Sequence, residues 1–133
     1  MSRDKQRLSD YLGHMLQAIE RINRYTANMT HAGFLDNEMA QDAVIRNFEI
    51  MGEASHNIEV DYPEFAAAHP TLPLSFAYQM RNAVSHGYFS VDLDIVWKTI
   101  SSNLPALYKQ VQDIRLVQER ADGTLIEVKL DDL

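Results

Sequence analysis

The stretch MRNAVSHGYF, residues 80–89, gathers Arg81, Asn82, Ser85, His86 and Tyr88 in a chain whose charged residues are mostly acidic. This set suits phosphate chemistry. Arginine offers a planar, permanently charged fork that matches phosphate oxygens two at a time, and it suits a phosphodiester and its pentavalent transition state. Histidine titrates near neutral pH, so it can take the proton from a ribose 2'-hydroxyl or give one to a leaving 5'-oxygen. Asn82 stands one turn before His86 and can orient its ring. A purely structural role fits the same residues: an Arg and a His at a helix end cap free carbonyls and favour the negative end of the dipole.

Spacing limits how the set can work. On a helix Asn82 and His86 share a face, as do Arg81 and Ser85, but Arg81 and His86 lie roughly 140° apart around the axis. If the helix ends between Ser85 and Gly87, His86 is released from that geometry and can turn toward the guanidinium, and Gly87 makes the turn sterically easy.

Other chemistry-bearing residues are less organised. Glu53 and His56 form an E-x-x-H pair, the unit of di-iron bundles, but no second copy exists and no metal site is expected. His14, His31 and His69 stand singly and read as surface residues. Trp97, with Val96, Ile100 and Leu104, reads as core, and Asp92 and Asp94 as helix-start charges. No cofactor is called for.

The elements that must position these residues are helical. From Asp4 to about Asn28, Leu8, Tyr11, Leu12, Met15, Ile19, Ile22 and Thr26 recur at spacings of three and four. Gly33 interrupts, Asp36 offers an N-cap, and Met39, Ala43, Phe48, Met51, Ser55 and Ile58 extend a second helix to about Val60. DYPEFAAAHPTLP reads as a connector with one helical turn at Glu64–Ala68. Pro73 opens a third helix that runs to about Ser85 and buries Phe76, Ala77, Met80, Ala83 and Val84. Asp92 or Ser90 opens a fourth, which Pro105 kinks or restarts. In the last eighteen residues ADGT is a turn signal between short apolar segments. That pattern reads either as a small terminal hairpin or as a helix fraying into a tail. The fold expected is an all-α bundle of four to five helices over residues 1–115, with a C-terminal extension over 116–133.

Composition excludes several classes. At 133 residues the chain fits one domain, and 46% hydrophobic residues suffice for a core. It has no cysteine, hence no disulfide and no thiolate metal site. The start lacks a signal-peptide core and no apolar run is long enough to span a bilayer, so a cytoplasmic protein without membrane contact is expected. A net charge of -7 argues against sequence-independent gripping of nucleic acid, although a few local arginines can still engage one phosphate.

RNAVSHGY has the form R-x4-H-x-Y. It is preceded by AVIRNFEIMGEASHNI and followed by FSVDLDIVWKTISSNLPAL. Together these segments, between about residue 5 and about residue 110, resemble the HepT family of HEPN-type helical proteins, toxins that stand beside an MntA-like nucleotidyltransferase antitoxin. The resemblance implies a metal-independent endoribonuclease with Arg81 and His86 catalytic, Asn82 and Ser85 supporting, and Tyr88 the residue to which the partner adds AMP. It also implies that Arg46 and Glu49 face the same cleft, that the substrate is RNA, and that two copies pair as a homodimer through the third helix. Two other readings use the same residues: a non-catalytic module that binds a nucleotide or the partner enzyme, and a helical interaction protein whose polar cluster is structural.

Overall fold

Apolar residues at helical spacing keep one face of the first helix dry. In the computed structural model, which describes residues 2–86 and 92–121, with side chains over 7–81 and 92–118, α1 spans Ser2–Thr26. It buries Leu8, Leu12, Met15, Leu16, Ile19 and Ile22. Thr26, also buried, donates its hydroxyl to the Ile22 carbonyl at 2.8 Å and so satisfies a polar group at the edge of the core.

The break after α1 differs from expectation. Gly33 does not interrupt: it lies inside a short helix, α2 (His31–Leu35), whose N-cap Thr30 accepts from the Gly33 amide at 3.0 Å. Fully buried Phe34 anchors that turn. Asp36 therefore ends α2 rather than opening the next helix, and Asn37 takes the N-cap of α3 (Glu38–Asp61), accepting from the Ala40 amide at 3.0 Å. Met39 belongs to the first turn of α3, before the helix meets its neighbours, and is 82% exposed rather than core.

The connector holds one helical turn, α4 (Pro63–Ala68), with proline at its start. α5 spans Leu74–His86 and buries Ala77 and Met80, while Phe76 is only half-buried. Ala83 and Val84 have side chains outside the described set. Asp92 caps α6 (Leu93–Ser102), accepting from the Asp94 and Ile95 amides. Pro105 restarts the chain as α7 (Leu104–Ala121), where a first-turn residue needs no intrahelical donor. α7 continues unbroken across residue 115. The expected tail or hairpin from residue 122 onward lies outside the described residues. Among those described, seven helices and no strand are present, an all-α bundle.

α3 is the middle of the packing. α1 lies against one side and α5 against the other, α7 packs on α1, and α6 bridges α7 and α2. Phe48, Met51, Val44 and Ile58 of α3 are fully buried with Leu12, Met15, Ile19 and Ile22 of α1 and Leu104 and Val111 of α7. At the far end Trp97 is half-buried against Phe34, with ring centroids 5.3 Å apart, and stacks parallel to His31, whose Nε2 meets Asp94 Oδ1 at 2.7 Å. No helix among the described residues is long and apolar enough to cross a membrane.

The α3–α5 contact is unusually close because of Gly52. A Cβ built there would overlap the Cβ of Arg81 and stand 2.8 Å from its Cγ and 2.9 Å from the Ala77 carbonyl oxygen. The helices run antiparallel, since Ser75 donates to Glu59 at 2.8 Å, Tyr78 stacks on His56 and Arg81 lies against Gly52. Continued along both helices, that register brings the C-terminal end of α5 level with Glu49 and Arg46.

Two predictions follow from the packing. Gly52→Ala gains helix propensity of at most about 1 kcal/mol, but must push α5 away; overpacking of this kind costs about 1–3 kcal/mol, and a lowered denaturation midpoint is expected. Tyr108 of α7 donates to Glu20 of α1 at 2.7 Å, and its pKa is raised first by that hydrogen bond, then by burial and by the carboxylate charge. The bond's contribution is complete at neutral pH and declines once the unfolded chain ionises above about pH 10. Tyr108→Phe should therefore lower stability by less than about 1 kcal/mol near neutrality and flatten the alkaline decline, as read by guanidinium unfolding at several pH values.

Candidate functional site

One face of α3 carries polar residues at i, i+3 and i+7: Arg46, Glu49 and Glu53, with Ile50 and Ala54 beside them. The opposite flank of α3 supplies core, so this second stripe is held at the surface between α1 and α5. There it forms the floor of an open cavity of about 330 Å³, closed on one side by Arg81 of α5 and on the other by His14 of α1.

Arg81 is fixed at both ends. Its Cβ and Cγ rest on Gly52, and one guanidinium nitrogen, Nη2, lies 3.5 Å from Glu53 Oε2. The guanidinium carbon stands 5.9 Å from the centroid of the Tyr78 ring, one turn earlier on α5, a cation–π distance. Tyr78 is itself held by His56, ring on ring at 4.1 Å and 13°. Glu53 and His56, the E-x-x-H pair, are thus both engaged with α5, one with the arginine and the other with the aromatic ring that supports it.

The structure brings Arg46, Glu49 and Arg81 to one cavity. α5 ends at His86, within the span expected for its terminus, but residue 86 itself keeps helical backbone, so the expected release of His86 from helical geometry is not seen there and Arg81 and His86 leave α5 roughly 140° apart. The side chains of Asn82, Ser85 and His86 lie outside the described set, as do Gly87 and Tyr88 altogether. Sequence reading missed two residues. Glu53, weighed only as half of a metal motif, is the ion-pair partner of Arg81; the i, i+3, i+7 spacing of Arg46, Glu49 and Glu53 was the signal available. His14, read as a lone surface residue, is exposed but walls the cavity, and nothing in the spacing of α1 indicates which helix its edge will meet.

Chemically the cavity is mixed: two guanidiniums, two carboxylates and an imidazole. Its guanidiniums are of the kind that pairs with phosphate oxygens, and at Arg81 the Glu53 carboxylate already stands beside the fork. The cavity does not form the broad basic surface that holds duplex nucleic acid by charge alone.

A small helical bundle with an arginine-bearing cleft between its second long helix and the next is the class so defined. The family model described as Ribonuclease HepT-like matches residues 15–114, and the chain belongs to that HEPN-type family. A protein of Thermococcus cleftensis named "Probable ribonuclease HepT" is 39% identical over 106 residues, covering 80% of this chain and 94% of the relative. A Methanocaldococcus jannaschii protein named "Gamma-glutamylcyclotransferase and putative RNase" is 36% identical over 104 residues, 78% of this chain but 46% of the relative. A "Putative RNase" of the same organism is 31% identical over 108 residues, covering 81% of this chain and 96% of the relative. No solved structure matches the chain.

The exposed Arg81–Glu53 pair is weak, so Glu53→Gln should change stability by less than about 1 kcal/mol in chemical denaturation. It removes one negative charge beside the guanidinium, and tighter binding of inorganic phosphate, about two- to fivefold, is expected in an NMR titration.

Proposed function

We propose that this chain is the toxin of a HepT/MntA-type pair, a metal-independent endoribonuclease acting in the cytoplasm. The observation that carries the reading is Arg81, held on Gly52 beside Arg46 and Glu49, on a helix that ends at His86, in a chain of the ribonuclease HepT-like family. Relatives named as ribonucleases support it.

In this mechanism Arg81 takes the non-bridging oxygens of the scissile phosphate and stabilises the charge that builds in the pentavalent transition state. His86 accepts the 2'-hydroxyl proton, the 2'-oxygen attacks phosphorus, and the bond to the 5'-oxygen breaks, leaving a 2',3'-cyclic phosphate and a 5'-hydroxyl. The nucleophile belongs to the RNA, so no metal is required to generate it. Asn82 and Ser85 support the two catalytic side chains, and Arg46 and Glu49 order the phosphate from α3. One molecule offers few groups for a phosphodiester; pairing of two copies through α5 and its flanks brings two sets into one cleft.

Tyr88, two residues past His86, is the handle for silencing. An MntA-like nucleotidyltransferase transfers AMP from ATP to the phenol, releasing pyrophosphate. The phosphodiester so formed adds negative charge and bulk next to Arg81, where it competes with the RNA backbone.

The mixed charge of the cavity and the Arg81–Glu53 pair favour one second reading: a module that binds a nucleotide, or the nucleotidyltransferase itself, without cleaving RNA.

Purified protein should cleave RNA in EDTA to 2',3'-cyclic phosphate ends. Arg81→Ala and His86→Ala should each lower the rate at least about a hundredfold with the fold intact by circular dichroism. Cleavage that needs added metal overturns the mechanism, and nucleotide binding without any cleavage selects the second reading. After co-expression with the nucleotidyltransferase, intact mass should show added AMP that disappears in Tyr88→Phe.

A further inference from the structure

α7 keeps one row of side chains outside its contact with α1. Ala106, Gln110, Ile114 and Val117 stand at i, i+4, i+8 and i+11, along one side of the helix. Val117 is 65% exposed and Ala106 is exposed, while Gln110 and Ile114 are half-buried. Tyr108 and Arg115, which reach Glu20 and Ser9 of α1, lie on another side. At the N-terminal end of α7 the row opens into a cavity of about 340 Å³, whose apolar wall is Ala106 and Leu107 with Pro73 and Phe76 at the start of α5. Gln110, on its rim, donates to the Thr71 carbonyl at 3.0 Å and ties α7 to the connector.

The sequence that follows α7 has the complementary pattern. DGTLIEVKLDDL, residues 122–133, begins with Asp-Gly, a turn pair, and continues with Ile126, Val128 and Leu130 alternating with Glu127, Lys129 and Asp131. In an extended chain the three apolar residues share one side and the three charged ones the other. The lengths also match. α7 rises roughly 1.5 Å per residue, so Ala121 and Ala106 are about 22 Å apart along it. An extended chain rises roughly 3.3 Å per residue and covers that distance in about seven, which from Gly123 ends at Leu130. Ile126 then comes level with Ile114, and Leu130 with the cavity. A segment tethered this close is present at an effective concentration on the order of millimolar, so a groove of modest affinity is filled.

We infer that the chain after α7 turns back along it in extended form, seating Ile126 on the row at Ile114 and Leu130 in the cavity between α7 and the start of α5. Glu127, Lys129 and Asp131 remain in water. The cavity lies at the N-terminal end of α5, away from Arg81, so the docked segment covers Phe76 and leaves the C-terminal half of α5 open to pairing. The inference does not depend on the ribonuclease reading.

The test uses a spin label on the full chain. The sequence has no cysteine, so a single one, Asp132→Cys, accepts a nitroxide. In the labelled, isotope-enriched protein the amide signals of Phe76, Ala106 and Leu107 should lose most of their intensity relative to the reduced sample, while that of Gly13, across α7 on α1, keeps it. Adding Val128→Asp and Leu130→Asp to the labelled chain should restore the three signals with the circular dichroism of the helices unchanged. Full intensity at all three, equal loss at Gly13 and Ala106, or loss that persists in the doubly substituted chain overturns the inference. So does loss of the same size when label and isotope are carried by different copies, which places the segment on a second molecule.

Discussion

The missing side chain at Gly52 sets the distance between α3 and α5, and most of what is distinctive in this molecule depends on that distance. The two helices touch closely enough that the stem of Arg81 lies on the backbone of α3. Above the contact the register continues through Tyr78 on His56 and Ser75 on Glu59; below it, α5 ends level with the polar stripe of α3. A larger residue at position 52 would separate the helices and move the arginine away from Glu53, Glu49 and Arg46 together. Packing and site are therefore coupled at one position, and a substitution there acts on both.

α3 reconciles the two because it has two working faces. Phe48, Met51, Val44 and Ile58 face the dry interior, and Arg46, Glu49 and Glu53 face water between the flanking helices. The carboxylates lower the local positive potential that the arginines create. In a chain of net charge -7 this leaves a small locus of mixed charge, where long-range attraction of anions is weak and the geometry of the guanidinium forks matters more.

The sequence carried the helices well and the site partly. Apolar spacing locates α1, α3 and α5 because each buries a stripe against neighbours, and it gives their limits to within a few residues. It failed between α1 and α3, where Thr30 caps a turn that runs through Gly33 and Asn37 rather than Asp36 opens the long helix. Glycine and an acidic residue are weak markers against a cap hydrogen bond combined with a buried phenylalanine. The R-x4-H-x-Y motif identifies α5, and the stripe of Arg46, Glu49 and Glu53 is visible at helical spacing. The role of Gly52 and the reach of His14 are not visible, because both depend on which helix lies opposite, and that is decided by tertiary register rather than by any local pattern.

The contact at Gly52 also bears on the thermodynamics of ligand capture. A free arginine side chain carries about 2 kcal/mol of rotamer entropy, part of which is lost whenever it is held on a ligand. In Arg81 the first side-chain atoms are already pressed on α3 and the far end is steadied over Tyr78. Much of its freedom has disappeared on folding, before any anion arrives. The side chain is held in place before it meets any ligand, so capture of one there would order less of the chain than at a mobile arginine.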